Sequence, residues 1–154
     1  LDLYCNLNVY YNMQTFLPYP DFKESAACLD YRRLGKQRVE GVQILKAILG
    51  EKSLNGKPYK GWLNHPATLM WKPYPGALKL YVNTMIEEWV RRGYKNTMPL
   101  YKIENNVQMP TWLGLEKFHA SHRSNLKRKD GIYYEKYGWN ESPDTSYIWP
   151  TNNY

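Results

Sequence analysis

The sequence predicts an all-α fold, a single compact helical domain with long loops and an aromatic C-terminal tail. Apolar residues return at three- and four-residue spacing in several segments, which is the pattern of a helix with one buried face. Proline, glycine and Asp or Asn bracket those segments at the places where helices start and stop. No run alternates for long enough to make a strand. Neither an internal repeat nor a domain-sized linker interrupts the chain. Residues 13–154 are therefore expected to form one domain, preceded by an N-terminal extension at 1–12.

The extension is rich in Asn and Tyr and admits a short strand, a disordered arm or translation from upstream of a start at Met13. From Asp21 the spacing of Phe22, Ala26 and Leu29 predicts a short helix, with Pro18 and Pro20 holding its approach extended. A longer helix is expected over about 30–49, stopped by Gly50. Its apolar stripe is Leu34, Val42, Leu45 and Leu49, with Arg32, Arg33, Lys36, Glu40 and Gln43 on the other side. A loop at 55–61 precedes Asn64 and His65, and Pro66 then suits a first helical turn. Leu78, Tyr81, Val82, Met85, Ile86 and Trp89 predict a helix from Pro75 to Arg92, ended by Gly93. Residues 96–111 read as a loop with two prolines. A last helix, from Leu115 to Lys129, runs into a tail of Tyr133, Tyr134, Tyr137 and Trp139.

At 154 residues the chain can bury a core without metal or disulfide help. Its 43% apolar content is too high for a disordered protein. The 21 Lys and Arg against 14 Asp and Glu leave a net charge of +7, which favours a polyanionic partner, nucleic acid before membrane. A soluble domain that is merely basic is the plain alternative. Cys5 and Cys28 cannot make a disulfide framework, and Cys28 reads as a small core residue. No apolar run approaches the roughly 18 residues of a membrane span, and the first residues lack a signal-peptide pattern. An intracellular monomer is expected.

The most informative segment runs from Asp30 through Tyr31, Arg32, Arg33, Lys36 and Arg38 to Glu40. On one helix Arg32 and Lys36 lie a turn apart, with Arg33 and Glu40 beside them, a face able to contact several phosphates. The competing structural reading is a solvated face laced by Asp30–Arg33 and Lys36–Glu40 pairs. Arg38 falls within the apolar stripe, so it must pair with a buried carboxylate or project from a cleft rim. In the last helix His119 and His122 project with Leu115, Phe118 and Leu126, flanked by Arg123, Lys127 and Arg128. With only His65 besides, a zinc site lacks ligands. No phosphate-cradling glycine loop and no Ser or Cys nucleophile motif is present. An amine nucleophile fits that silence, since a chain-terminal amine is partly unprotonated at neutral pH.

Several blocks resemble the pyrimidine dimer DNA glycosylase family, the endonuclease V type known from phage, and above all a cellular branch of it. They are Met13 to Phe22, Leu29 to Glu40, Asn64 to Ala67, Trp112 to Gly114, His122 to Asp130, and Tyr147 to Pro150. The phage-type Tyr-Arg pair resembles Tyr31-Arg32, and a helix ending in a basic pair, Gly and an aromatic is similar to Ile86 to Tyr94. The resemblance implies an all-helical fold, a kinked duplex with a nucleotide flipped out, base excision through an imine to C1′, and β-elimination at the abasic site. Two positions depart from the family pattern. Arg33 stands where a catalytic glutamate follows the Tyr-Arg pair, and Gln14 follows Met13 where the family exposes a threonine amine.

The expected function is a DNA repair N-glycosylase with abasic-site lyase activity on pyrimidine-dimer duplex DNA. Asp30 and Glu40 are its candidate catalytic carboxylates. Arg32, Arg33, Lys36, Arg123, Lys127 and Lys129 are expected to hold phosphates, and Arg38, His65 and His122 to line the cleft. Neither cofactor nor metal is expected. A non-catalytic binder of distorted DNA is the main alternative, and an enzyme of another class using His119 and His122 is a third. The DNA readings need both basic helices to face one cleft.

Overall fold

A computed structural model describes residues 13–52 and 63–150. The extension at 1–12 and the expected loop at 55–61 lie outside the described residues. The fold is compact and all-α, with no strand among the described residues.

Most helices open where the sequence offers a cap. Asp21 accepts the Glu24 N–H (2.9 Å) and starts α1 (Phe22–Cys28). Asp30 accepts the Arg33 N–H and starts α2 (Tyr31–Ile48). His65 accepts the Ala67 N–H through Nδ1 (3.0 Å) and, with Pro66 in the first turn, opens α3 (Pro66–Trp71). Pro75 begins α4 (Pro75–Arg91), and Gly93 follows its end at φ +88°, a conformation that favours glycine. Asp130 terminates α5 (Glu116–Lys129) and caps α6 (Gly131–Tyr134) by accepting the Tyr133 N–H. The aromatic tail thus starts as a short helix and passes into a 3₁₀ turn at Glu135–Tyr137.

The main packing pair is α2 against α4. Two glycines of α2 allow the close approach: a Cβ on Gly41 would meet Val82 Cγ2 at 2.5 Å, and one on Gly35 would meet the Trp89 ring at 3.0 Å. Leu34, Ile44 and Leu45 of α2 join Leu78, Tyr81, Val82 and Met85 of α4 in the core. Phe22, Trp71 and Tyr81 pack there with ring centroids 5.5–6.2 Å apart. Two positions expected on apolar helix faces need correction. Leu49 is half exposed because it is the C-cap residue, beyond the last buried turn, and Leu115 is likewise exposed at the N-cap of α5. Gln37 and Gly41 occupy the buried side of α2 instead.

An extended segment, residues 13–18, also runs through the interior. It belongs to no helix or strand, so its backbone groups need partners from elsewhere. Side chains supply them. Gln37 Oε1 accepts the Phe16 N–H (2.9 Å), and the Tyr81 hydroxyl donates to the Phe16 carbonyl (2.9 Å). His122 Nδ1 accepts the Leu17 N–H (2.8 Å), and Arg123 donates to the Pro18 carbonyl (2.8 Å). His119 accepts the Gly114 N–H on Nε2, so its Nδ1 carries the proton it donates to the Leu17 carbonyl (2.7 Å). This contact accounts for the burial of His119, His122 and Arg123 on α5.

Candidate functional site

Beside the buried segment lies a cavity of about 630 Å³, within the roughly 300–1,000 Å³ typical of small-molecule sites. The first half of α2 supplies Tyr31, Arg32, Arg33, Lys36, Gln37 and Glu40, with Asp30 at its cap. The end of α5 and the start of α6 supply Lys129, Asp130 and Tyr133, and Phe16 comes from the extended segment. Cations of two helices therefore share one space, although only Lys129 of the α5 group takes part.

Height in the cavity separates the charges. Arg32 is exposed, and its Nε donates to the Tyr31 hydroxyl (3.2 Å). The Lys36 side chain keeps 63% of its surface in water, whereas Glu40 keeps 13%. The carboxylates thus sit lower than the cations at the mouth. That order suits an anionic chain lying across the opening with one neutral group reaching down.

The two candidate carboxylates differ in their chemistry. Burial alone would raise the pKa of Asp30, but hydrogen bonds from Tyr134 and Arg33, and the Arg33 charge, outweigh it and hold the group low. Its Oδ1 accepts from the Tyr134 hydroxyl (2.5 Å) and from Arg33 (3.1 Å), and its carboxylate caps α2. Asp30 is fully engaged in holding structure. Burial of Glu40 instead pushes its pKa up to about 7, against opposing effects of Lys36, the Gln14 N–H, Lys129 and Gln37. Those contacts are long: 3.4 Å from the Gln14 nitrogen, 3.5 Å from Gln37 and 4.0 Å from Lys36. A carboxyl whose pKa is raised toward neutrality can act as proton donor or acceptor near pH 7.

The remaining expected site residues lie elsewhere. Arg38 meets neither a carboxylate nor the cavity: its guanidinium covers the Trp89 ring at 4.1 Å and donates to Asn96 (2.7 Å). His65 caps α3 with its ring edge-on to Trp149. His122 has no exposed surface, and burial, then His119 and Arg123, lower its pKa to about 3. It is a neutral backbone acceptor with no surface to offer a phosphate. Arg123 is buried between Glu116 and Glu141. Lys127 donates to the carbonyls of Trp139 (2.9 Å) and Glu141 (2.5 Å), so both residues staple the C-terminal segment onto α5. Among the described residues no cluster of His, Cys, Asp and Glu could hold a metal ion, and no helix is long and apolar enough to cross a membrane.

Sequence reasoning missed Phe16, Gln37, Asp130 and Tyr133 as cavity residues. One signal was available. Gln37 lies three residues past Leu34 on the apolar side of α2, and a polar residue there must find an interior partner.

The family profile for pyrimidine dimer DNA glycosylase matches residues 13–102, which hold the buried segment, α1, α2, α3 and α4. No curated protein and no solved structure gives a significant match. The matched region covers more than half of the chain and includes most of the cavity's charged wall. The chain belongs to the pyrimidine dimer DNA glycosylase family.

Proposed function

We propose that the protein is a DNA repair N-glycosylase with abasic-site lyase activity on damaged, pyrimidine-dimer duplex DNA, acting as an intracellular monomer without a cofactor. The observation that carries this reading is the cavity itself, in which the largely covered carboxyl of Glu40 lies below a mouth bearing Arg32, Lys36 and Lys129. Phosphates on either side of a lesion meet those cations and Arg33, and each contact adds to a salt-dependent affinity. One nucleotide then leaves the stack, because C1′ is shielded within an intact duplex. Phe16 and Tyr133 give that nucleotide apolar walls.

An amine attacks C1′ as the glycosidic bond breaks, and the departing base needs a proton. Protonated Glu40 can give one, and its carboxylate can later take the C2′ proton in β-elimination. General acid–base help of this kind contributes about 10²–10⁴-fold. Asp30 is a positioning residue in this scheme, since it fixes Arg33 and the start of α2.

A non-catalytic binder of distorted DNA is the second reading, favoured by Arg33 at the position of the family's glutamate. Incubation with an abasic-site duplex in borohydride separates the two. The glycosylase reading expects a covalent protein–DNA adduct and, without borohydride, strand cleavage. Salt-sensitive binding with neither product would replace it with the binder.

A further inference from the structure

We propose that Ile132 is an apolar wedge that enters the base stack where the nucleotide leaves it, an assignment that rests on the duplex-DNA reading above. Ile132 is 90% exposed, whereas the next most exposed large apolar residue among the described residues, Leu100, is 53% exposed. A single exposed apolar side chain is ordinary by itself. The place of this one is not. Asp130 and Tyr133 on either side of it line the cavity, while Ile132 projects into solvent beside them. The space next to it is open: a Cβ added at Gly131 would meet nothing within 4 Å. A polyanion lying across the cationic mouth therefore meets Ile132 at the rim.

The support beneath this side chain is fixed. Asp130 caps α6 by accepting the Tyr133 N–H (3.1 Å). Tyr134 has no exposed surface, and its hydroxyl donates to the Asp30 carboxylate and accepts the Asp30 N–H (3.0 Å). Its ring stacks on Trp139 with centroids 5.4 Å apart and planes 15° apart. The Tyr133 hydroxyl donates to the Leu29 carbonyl (3.4 Å). These contacts tie α6 to the start of α2, the helix that carries most of the cavity's cations. Tyr134 already fills the buried side of so short a helix, so Ile132 stays outside. Its β-branch adds stiffness, since few χ1 rotamers are open to it.

A nucleotide that leaves a duplex strips a stacking partner from each neighbouring base. The gap either fills with water or collapses, and both drive the nucleotide back. An apolar side chain in the gap restores contact with the base faces and excludes water, and proteins that kink DNA insert isoleucine, leucine or phenylalanine in this way. Such a gap has apolar walls and phosphate edges. Ile132 is an apolar tip whose exposed neighbours along the chain include Lys129 and Lys136, which matches that pattern of charge. A protein-docking face would instead spread over several adjoining apolar side chains. The cavity and Ile132 thus serve one event: Phe16 and Tyr133 wall the space for the departed nucleotide, and Ile132 holds its place in the stack.

The test compares Ile132→Ala and Ile132→Leu on a fully paired duplex with 2-aminopurine beside a pyrimidine dimer, whose fluorescence rises as that base unstacks. At saturation the unaltered protein should raise the fluorescence about threefold or more, Ile132→Ala should lose most of the rise, and Ile132→Leu should keep it. Base excision by Ile132→Ala should fall about 10-fold on the paired duplex, but only about threefold or less where the lesion sits in a mismatched bubble with little stack to open. Circular dichroism and the urea midpoint should not change, because an exposed side chain contributes little to stability. No rise with the unaltered protein, a rise kept by Ile132→Ala, or an equal loss of excision on both substrates overturns the wedge and leaves the glycosylase reading standing. A rise that depends on Ile132 without any base excision keeps the wedge and replaces the glycosylase by the binder of distorted DNA. Absence of duplex binding by the unaltered protein overturns both.

Discussion

The cavity and the buried segment beside it both draw polar side chains from α2 and α5, yet they differ in where the partners lie. Around residues 13–18, His119, His122, Arg123, Gln37 and Tyr81 bond to backbone that would otherwise be unsatisfied inside the protein. In the cavity, Arg32 and Lys36 face water and Glu40 has only long contacts. The first set stabilises the fold because removing any member leaves a buried backbone group unpaired. The second set is available to a ligand. Basic and histidine residues are thus functional candidates here only where the protein has not already supplied their partners.

Glu40 sits at the boundary of the two regions and gives the largest expected effect. Replacement by Gln should lower base excision by about 10²-fold or more if Glu40 moves protons, with little change in duplex affinity. Its stability signature has the opposite sign. The folded pKa near 7 lies above the ordinary 4.5, so the folded chain holds this proton more tightly between those values. Stability is then lost as pH rises from about 4.5 to 7, and Glu40→Gln should recover up to about 3 kcal/mol above that window. Urea unfolding of both proteins at pH 5 and pH 8 measures it. An equal gap at the two values would show that Glu40 is not a desolvated acid.

His122 tests the other region. His122→Ala removes the acceptor of the Leu17 N–H and opens a void beside Phe118, at a cost of about 3 kcal/mol. Chemical denaturation should register that loss, while the salt dependence of duplex binding in the still-folded fraction stays the same. A flattened salt dependence would return His122 to the contact surface.

Much of the fold was legible before any coordinate. Asp21, Asp30 and Pro66 mark helix starts, and the repeats of Leu34 to Leu45 and of Leu78 to Trp89 mark buried faces, because caps and helical periodicity act within a few residues. The charged half of the site was legible for the same reason: Arg32, Arg33, Lys36 and Glu40 are neighbours on one helix. The other half was not. Whether His122 is a ligand or a core acceptor depends on Leu17, which lies 105 residues away. Arg123 and Lys127 find their partners at Glu141, and the raised pKa of Glu40 depends on burial by parts of the chain distant in sequence. Spacing within a helix cannot report which distant backbone group will neutralise a side chain's hydrogen bonds.

The most direct measurement is the slope of log affinity for an abasic-site duplex against log salt, compared between two charge variants. Substituting Arg32, Arg33 and Lys36 together by Gln removes cavity cations, and each lost phosphate contact should flatten the slope by about 0.9. Substituting Lys127 by Gln removes a cation already bound to the Trp139 and Glu141 carbonyls and should leave the slope unchanged. A flattening of about 2 to 3 in the first variant and none in the second is the predicted result. Equal slopes in the unaltered protein and the cavity variant, or a flattening confined to Lys127→Gln, would contradict the placement of the DNA surface.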